Sequence, residues 1–277
     1  MRRRVGGSVL PAAVLFGVLA ALPAAATAQP LVSPLFTFTV TTFAPLVEAV
    51  PEPARATILA DPAGFLKDYL PLLTAPADQL VLVDKKTSLA NDYEPKDLVL
   101  LKNYSLPLNR SDLKFRKAYV PALQTLSKAA KKAGLNLVFS SAYRSWIYQR
   151  DLFTSYVQKD GVATADRYSA RAGHSQHQLG TVVDFGSITP EFADTPEGKW
   201  MAEHAGEYGL SMSYPNGGEA VTGYQYEPWH FRYLGVPACT VQKKWFSDVQ
   251  QLLLEFHARN AEALRAALVP AKAPKKK

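Results

Sequence analysis

Cys239 is the only cysteine among 277 residues. No intramolecular disulfide can form, so stability must come from packing or from a bound metal, and a zinc centre built on several thiolates is excluded. Cys239 itself reads as a small buried residue. After the apolar stretch from Val9 to Ala26 no second run of comparable length follows, which argues against a multi-span membrane protein. There is no His-Glu-x-x-His and no internal repeat. The folded body also lacks net charge: the formal +7 rests on Arg2, Arg3, Arg4, Lys272, Lys275, Lys276 and Lys277, and without these seven, 24 basic residues face 24 acidic ones. A basic groove for nucleic acid is not implied. The Lys-rich end reads as a solvated tail, loosely attracted at most to anionic surfaces.

What is present begins with an export pattern. Met1-Arg2-Arg3-Arg4 supplies a charged start, Val9 to Ala26 an apolar segment, and Ala26-Thr27-Ala28 a small-x-small cleavage site before Gln29. We expect a signal peptide at 1–28, a mature exported chain in the periplasm or cell envelope, and no stable membrane insertion after cleavage. An uncleaved anchor is the alternative.

Residues 29–78 are rich in Pro and Ala and read as a helical or irregular preface without chemistry. Leu80-Val81-Leu82-Val83 is a short β-type run, and Asp97 to Leu101 a second extended piece. Ser111 is placed to cap a helix reaching Ala133, kinked or divided at Pro121 and closed at Gly134. A strand is expected at Leu135 to Phe139, a helix at Ser145 to Val157, and a polar loop at Gly161 to Gly173. Thr181 to Phe185 is β-branched and strand-like, Lys199 to Tyr208 is helical with its end at Gly209, and Tyr214 to Gly223 is turn-rich. Trp245 to Leu268 predicts an amphipathic helix with Asn260 as a polar break. The pattern predicts an α+β fold: a small antiparallel β-sheet carrying the metal ligands, helices on one face, and extra helical segments at both ends. The divisions expected are a main domain at 79–240 and a C-terminal helix with its Lys-rich tail at 241–277.

Histidine is scarce, with five in all, and three of them cluster with carboxylates. His174 and His177 precede Asp184, which ends a β-type run, and Gly180 permits a tight turn between them. Glu227-Pro228-Trp229-His230 places a carboxylate three residues before another histidine. Hydrolysis at zinc needs three protein ligands, an open position for water, and a general base. His177, Asp184 and His230 meet the first need and Glu227 the last. On spacing alone the same residues also fit a hydrogen-bonded structural cluster with a Trp-His pair in the core.

The run Ser175-Gln176-His177-Gln178-Leu179-Gly180-Thr181-Val182-Val183-Asp184, followed by Glu227-Pro228-Trp229-His230, resembles the S-x-H-x-x-G-x-A-x-D and E-x-W-H motifs of the VanY-type D-alanyl-D-alanine carboxypeptidases, zinc peptidases of the LAS type. Ser141-Ala142-Tyr143-Arg144-Ser145 with Gln149 is similar to that family's S-x-Y-R-S-x-x-x-Q segment. The likeness runs from about Leu80 to Gly235 in the family order. It implies that His177, Asp184 and His230 bind zinc, that Glu227 is the catalytic base, and that Arg144 engages the substrate carboxylate or the developing oxyanion. Gln149 and Ser175 are the implied substrate contacts, and the implied substrates are peptidoglycan stem peptides, cleaved by a D,D-carboxypeptidase. An L,D-carboxypeptidase, a peptidoglycan endopeptidase and a non-catalytic wall-binding module are the alternatives. Arg144 offers a fixed fork suited to a carboxylate, with a structural ion pair as its other reading. His174 is read as a pocket-lining or outer group, His204 as structural, and His257 as a helix-surface residue.

There are three departures from the pattern. Val182 stands where the family usually has Ala, Ser211-Met212-Ser213-Tyr214-Pro215 lacks the arginine that many relatives carry before Tyr-Pro, and His204 stands where relatives often have Asn. A serine peptidase reading of Ser111-Asp112-Leu113-Lys114 lacks the companion S-x-N and K-T-G motifs in order.

Overall fold

The computed structural model describes residues 29–270; the export pattern of 1–28 and the lysines of the tail lie outside the described residues. The helices and strands in chain order are α1 (Val40–Val47), α2 (Ala54–Ala60), α3 (Pro62–Tyr69), β1 (Leu98–Leu100), β2 (Lys114–Arg116), α4 (Val120–Lys132), β3 (Phe139–Ser141) and α5 (Trp146–Asp160). They continue as α6 (Val162–Tyr168), β4 (Val182–Phe185), α7 (Pro196–His204), β5 (Leu210–Met212), α8 (Glu219–Thr222), β6 (His230–Tyr233), α9 (Val236–Trp245) and α10 (Gln250–Ala266).

The α+β expectation holds. Four short strands form an antiparallel sheet in the order β3-β4-β6-β5, and β1 pairs with β2 in a separate ribbon. The register across β4 and β6 sets Asp184 opposite His230. Between β3 and β4 the pairing slips after Phe139, so that Ser141 faces Asp184. Such an irregularity bends a strand and re-aims its end, here into the Ser141–Arg144 segment. One face of the sheet buries Phe139, Val183, Phe185 and Phe231 against Leu123 and Leu126 of α4 and Met201 of α7.

A second core joins the two ends of the chain. Phe43, Ile58, Phe65 and Tyr69 of the preface pack with Trp245, Phe246, Phe256 and Leu264 of the C-terminal helices. Phe65 lies at its centre, with ring centroids 5.4 Å from Phe256 and 5.7 Å from Trp245, both edge to face, a favourable arrangement for aromatic pairs. The preface is therefore largely helical, with two proline-started helices (Pro62 in α3, Pro71 in the 3-10 turn Leu70–Thr74). The backbones of the two ends also meet, where Thr37 N donates to the Ala267 carbonyl and Val269 N to that of Leu35.

Several local expectations are corrected. Leu80 to Val83 forms no strand; the carbonyls of Gln79 and Val81 instead accept from the buried Arg232 guanidinium. Ser111 caps no helix, because Lys114 to Arg116 pairs with β1 and α4 starts only at Val120. Pro121 then sits in the first turn, where its missing N–H costs nothing and no kink results. The strand after Gly134 begins at Phe139 rather than Leu135. The expected loop at 161–173 holds α6, and the expected single helix from Trp245 is broken at 246–249, where Ser247 and Asp248 take left-handed conformations. Among the described residues no helix is long and apolar enough to cross a membrane.

Candidate metal centre and active site

The three expected ligands reach one point by different routes. Asp184 and His230 sit opposite each other on neighbouring strands, so the sheet register fixes them. His177 lies instead in a one-turn 3-10 helix, Gln176–Leu179, started by Ser175, whose Oγ accepts from His177 N at 3.3 Å. Gly180 ends that turn at φ +68°, and a Cβ there would meet Leu98 Cδ2 at 2.8 Å, so glycine is required both by conformation and by space. One ligand atom from each of His177, Asp184 and His230 lies within 4.8 Å of the others, and all three side chains are buried.

The local chemistry fits a cation. His177 Nδ1 lies 2.6 Å from the Ala142 carbonyl, an interaction that sets Nδ1 as the protonated nitrogen and leaves Nε2 with a free lone pair. That Nε2 and Asp184 Oδ1 have no hydrogen-bond partner despite complete burial, and buried polar groups left unpaired cost on the order of 1–3 kcal/mol each. A metal ion satisfies both. Burial pushes the His177 imidazole down to about 4, assisted by the Arg144 cation, so it is neutral and ready to ligate near pH 7. Burial also lowers His230. For Asp184 burial opposes ionisation, but its polar neighbours, among them the Arg144 guanidinium that donates to Oδ2, outweigh it and hold the carboxyl well below the usual range.

Glu227 stands beside this cluster, its Oε2 3.5 Å from His230 Nδ1. Burial and then the Asp184 carboxylate raise it well above the normal carboxylate range, the environment expected of a proton-transferring group. Arg144 donates from Nη2 to Asp184 Oδ2 at 2.8 Å, from Nε to Ser141 Oγ at 3.1 Å, and from Nη1 to Gln149 Oε1 at 3.3 Å. Of the five guanidinium N–H groups, two remain for another anion. The structural ion pair and the recognition role are thus compatible in one side chain.

A cavity of ≈ 190 Å³ opens over the cluster, lined by Arg144, Ser175, His177, Glu227 and His230 together with a set of tyrosines. Ser175 reaches this lining while capping its turn. Gln149 does not: it is buried behind Arg144, and its amide donates to the Ala170 carbonyl at 2.7 Å, so the structure places it as a brace rather than at the cavity wall. His174 stays outside the cluster, its Nδ1 2.8 Å from the Asp84 carbonyl. His204 lies against Trp200, with Nδ1 3.1 Å from Glu207 Oε1. His257 is corrected from a surface residue: half-buried, it meets the Tyr69 hydroxyl at 2.8 Å through Nδ1.

Sequence reading missed Tyr214 and Tyr224. The Tyr214 ring packs on His230 with centroids 4.8 Å apart and on Tyr224 at 4.6 Å, walling the metal side of the cavity. The Tyr214-Pro215 dipeptide is a sequence signal for the first of these, whereas no motif marks Tyr224.

Comparison with known proteins agrees with this geometry. Residues 112–236 match the family model "VanY: D-alanyl-D-alanine carboxypeptidase". YodJ of Bacillus subtilis (strain 168) is 36% identical over 181 residues, 63% of this chain and 66% of YodJ, so the chain spans just under two thirds of that relative. Among solved structures, the LdcB LD-carboxypeptidase is 34% identical with a TM-score of 0.59, covering 65% of this chain and 86% of LdcB. A vancomycin-resistance D,D-pentapeptidase VanY in complex with Zn(II) is 26% identical with a TM-score of 0.53, covering 65% of this chain and 98% of that one. With its motifs in order and His177, Asp184 and His230 gathered on the shared fold, the chain belongs to the VanY D-alanyl-D-alanine carboxypeptidase family.

Proposed function

We propose that the chain is an exported, zinc-dependent D-alanyl-D-alanine carboxypeptidase that removes the terminal D-alanine from peptidoglycan stem peptides. The observation carrying this reading is the pair of orphaned, buried atoms His177 Nε2 and Asp184 Oδ1 facing His230, with Glu227 alongside. The Zn(II) complex of the VanY relative supports zinc as the ion, and a His/Asp/His set with one open position suits a catalytic zinc. Export is supported by the pattern at 1–28. The cavity of ≈ 190 Å³ is smaller than the roughly 300–1,000 Å³ typical of drug-sized ligands, which suits a small terminal residue.

Bound zinc would supply a lowered water pKa and polarisation of the scissile carbonyl. Glu227 accepts the proton of the attacking water and returns it to the leaving amine. Arg144, with two N–H groups still free, holds the substrate's terminal carboxylate or the oxygen that gains charge at the reacting carbon. Ser175 offers a hydroxyl at the cavity wall, and Gln149 keeps Arg144 in place.

A second reading, L,D-carboxypeptidase, is favoured by the likeness to LdcB. Incubating the purified protein with pentapeptide and tetrapeptide muropeptides, with and without a chelator, separates the two by product mass. Chelator-sensitive loss of one alanine from the pentapeptide supports the D,D reading, and loss from the tetrapeptide alone supports L,D. Absence of cleavage by folded, zinc-loaded protein contradicts both.

A further inference from the structure

The three ligands are not held equally. Strand pairing fixes Asp184 against His230, whereas His177 rides on a 3-10 turn outside the ladder, tied on one side to the Ala142–Arg144 segment by its Nδ1 and by Arg144 N donating to its carbonyl at 3.3 Å. Metal and catalytic sites require their ligands to be held within about 0.5 Å by a supporting shell, so that turn needs an anchor from behind. Gln176, the residue before His177, supplies the handle. Its buried amide donates to Gln250 Oε1 at 3.2 Å and accepts from Ser213 Oγ at 2.8 Å. Ser213 Oγ also reaches Gln250 Oε1 at 3.2 Å, and Ser213 N donates to the His230 carbonyl at 3.2 Å. The other half of the Gln250 amide donates to Ser211 of β5, at 3.2 Å to its carbonyl and 3.0 Å to its Oγ.

Gln250 is 1% exposed, and its amide both accepts, from Gln176, and donates, to Ser211, within the protein. It opens α10, which lies beyond the segment 112–236 that the family model matches. The next residue, Gln251, donates to Asp84 Oδ2 at 2.7 Å, and the Asp84 carbonyl holds His174, three residues before His177. The first turn of α10 therefore grips the His177 loop from both sides.

We propose that Gln250 is a positioning residue for the metal centre: through Gln176 and Ser213 its amide fixes the turn bearing His177 relative to the strand bearing His230. This rests on the zinc reading above. Outer partners of metal ligands change metal affinity by about 10–100-fold, and the link through Gln176 is one residue removed, which places the effect near the lower end.

The test compares wild type, Q250M, S213A and L264A for zinc affinity by competition with a chromophoric chelator, and for kcat and KM on the muropeptide the wild type cleaves. Met keeps the length of Gln without its polar atoms. L264A destabilises α10 at its far end, against the preface, and serves as the control for a merely structural effect. Expected is a roughly tenfold weaker zinc affinity for Q250M, with kcat reduced more than KM is raised, and wild-type zinc affinity for L264A. S213A moves in the same direction by less and carries the test if Q250M does not fold. Wild-type zinc affinity and kcat in Q250M, or in S213A where Q250M does not fold, overturns the proposal, as does an equal loss in L264A. A folded wild type that binds no zinc removes the metal reading and this inference together, whereas unchanged affinity in the variants removes only the inference.

Discussion

Glu227 and Arg144 are the side chains whose chemistry can be separated from their structural duties. Glu227 makes no direct contact that holds the ligand turn, so Glu227→Ala is expected to keep its zinc while kcat/KM falls by roughly 10²–10⁴, the usual worth of a positioned proton-transfer group. Metal analysis and turnover on the same preparation check this. Arg144 bonds Asp184, Ser141 and Gln149 at once, a geometry that a lysine's single ammonium cannot reproduce. Arg144→Lys loses hydrogen bonds to charged groups worth about 1.5–3 kcal/mol, and we expect kcat/KM on the preferred muropeptide to drop roughly 10- to 100-fold by the same arithmetic. At this scale the sequence was informative through the family motifs rather than through spacing alone: they single out His177, Asp184 and His230, which a turn and two strands bring together, and Glu227, which stands beside them. It said nothing of Gln250, because a buried glutamine 73 positions after His177 carries no periodic or motif signal, and it did not show that the Gln149 amide faces Ala170 instead of the cavity.

The turn from Ser175 to Gly180 is the element on which the site depends. Gly180→Ala places a Cβ at φ +68°, 2.8 Å from Leu98 Cδ2 and 3.1 Å from Arg116 Cγ. A strained left-handed residue costs about 1–3 kcal/mol before any clash is counted, so the denaturant midpoint should fall and zinc affinity with it. Elements defined by local pattern were legible: Ser145 caps α5, with its Oγ accepting from Tyr148 N, and Gly209 ends the helical segment after α7. Elements defined by distant partners were not. Lys114 to Arg116 became a strand because β1 offered a pairing edge, and Leu80 to Val83 failed to become one because Arg232 took the nearby carbonyls. In α10, His257 is pushed down to about 4 by burial and by the nearby Arg265 cation. With the folded value below the ordinary 6.5, the unfolded chain binds more protons between these values, so this group's contribution is present above pH 6.5 and lost as pH falls toward 4. The pH dependence of the unfolding midpoint over that window should be shallower in His257→Gln than in wild type; an identical slope would refute the linkage.

Across the whole molecule, the described residues hold two large cores: one beneath the four-stranded sheet, the other uniting the preface with α9 and α10. Apolar residues make up 48% of the sequence, ample for a core, but composition does not show that residues 36 to 80 and 234 to 267 share one, since that pairing joins segments far apart in the chain. Leu264→Ala removes a fully buried side chain from the second core and is expected to cost about 2–5 kcal/mol, seen as a lower unfolding midpoint with kcat and zinc content unchanged. The most direct test of the account is the zinc content of purified wild type, Glu227→Ala and His230→Ala. One zinc per chain in the first two and little in the third is the predicted result. Full zinc in His230→Ala, or a wild type that turns over muropeptides without metal, would contradict the centre built from His177, Asp184 and His230.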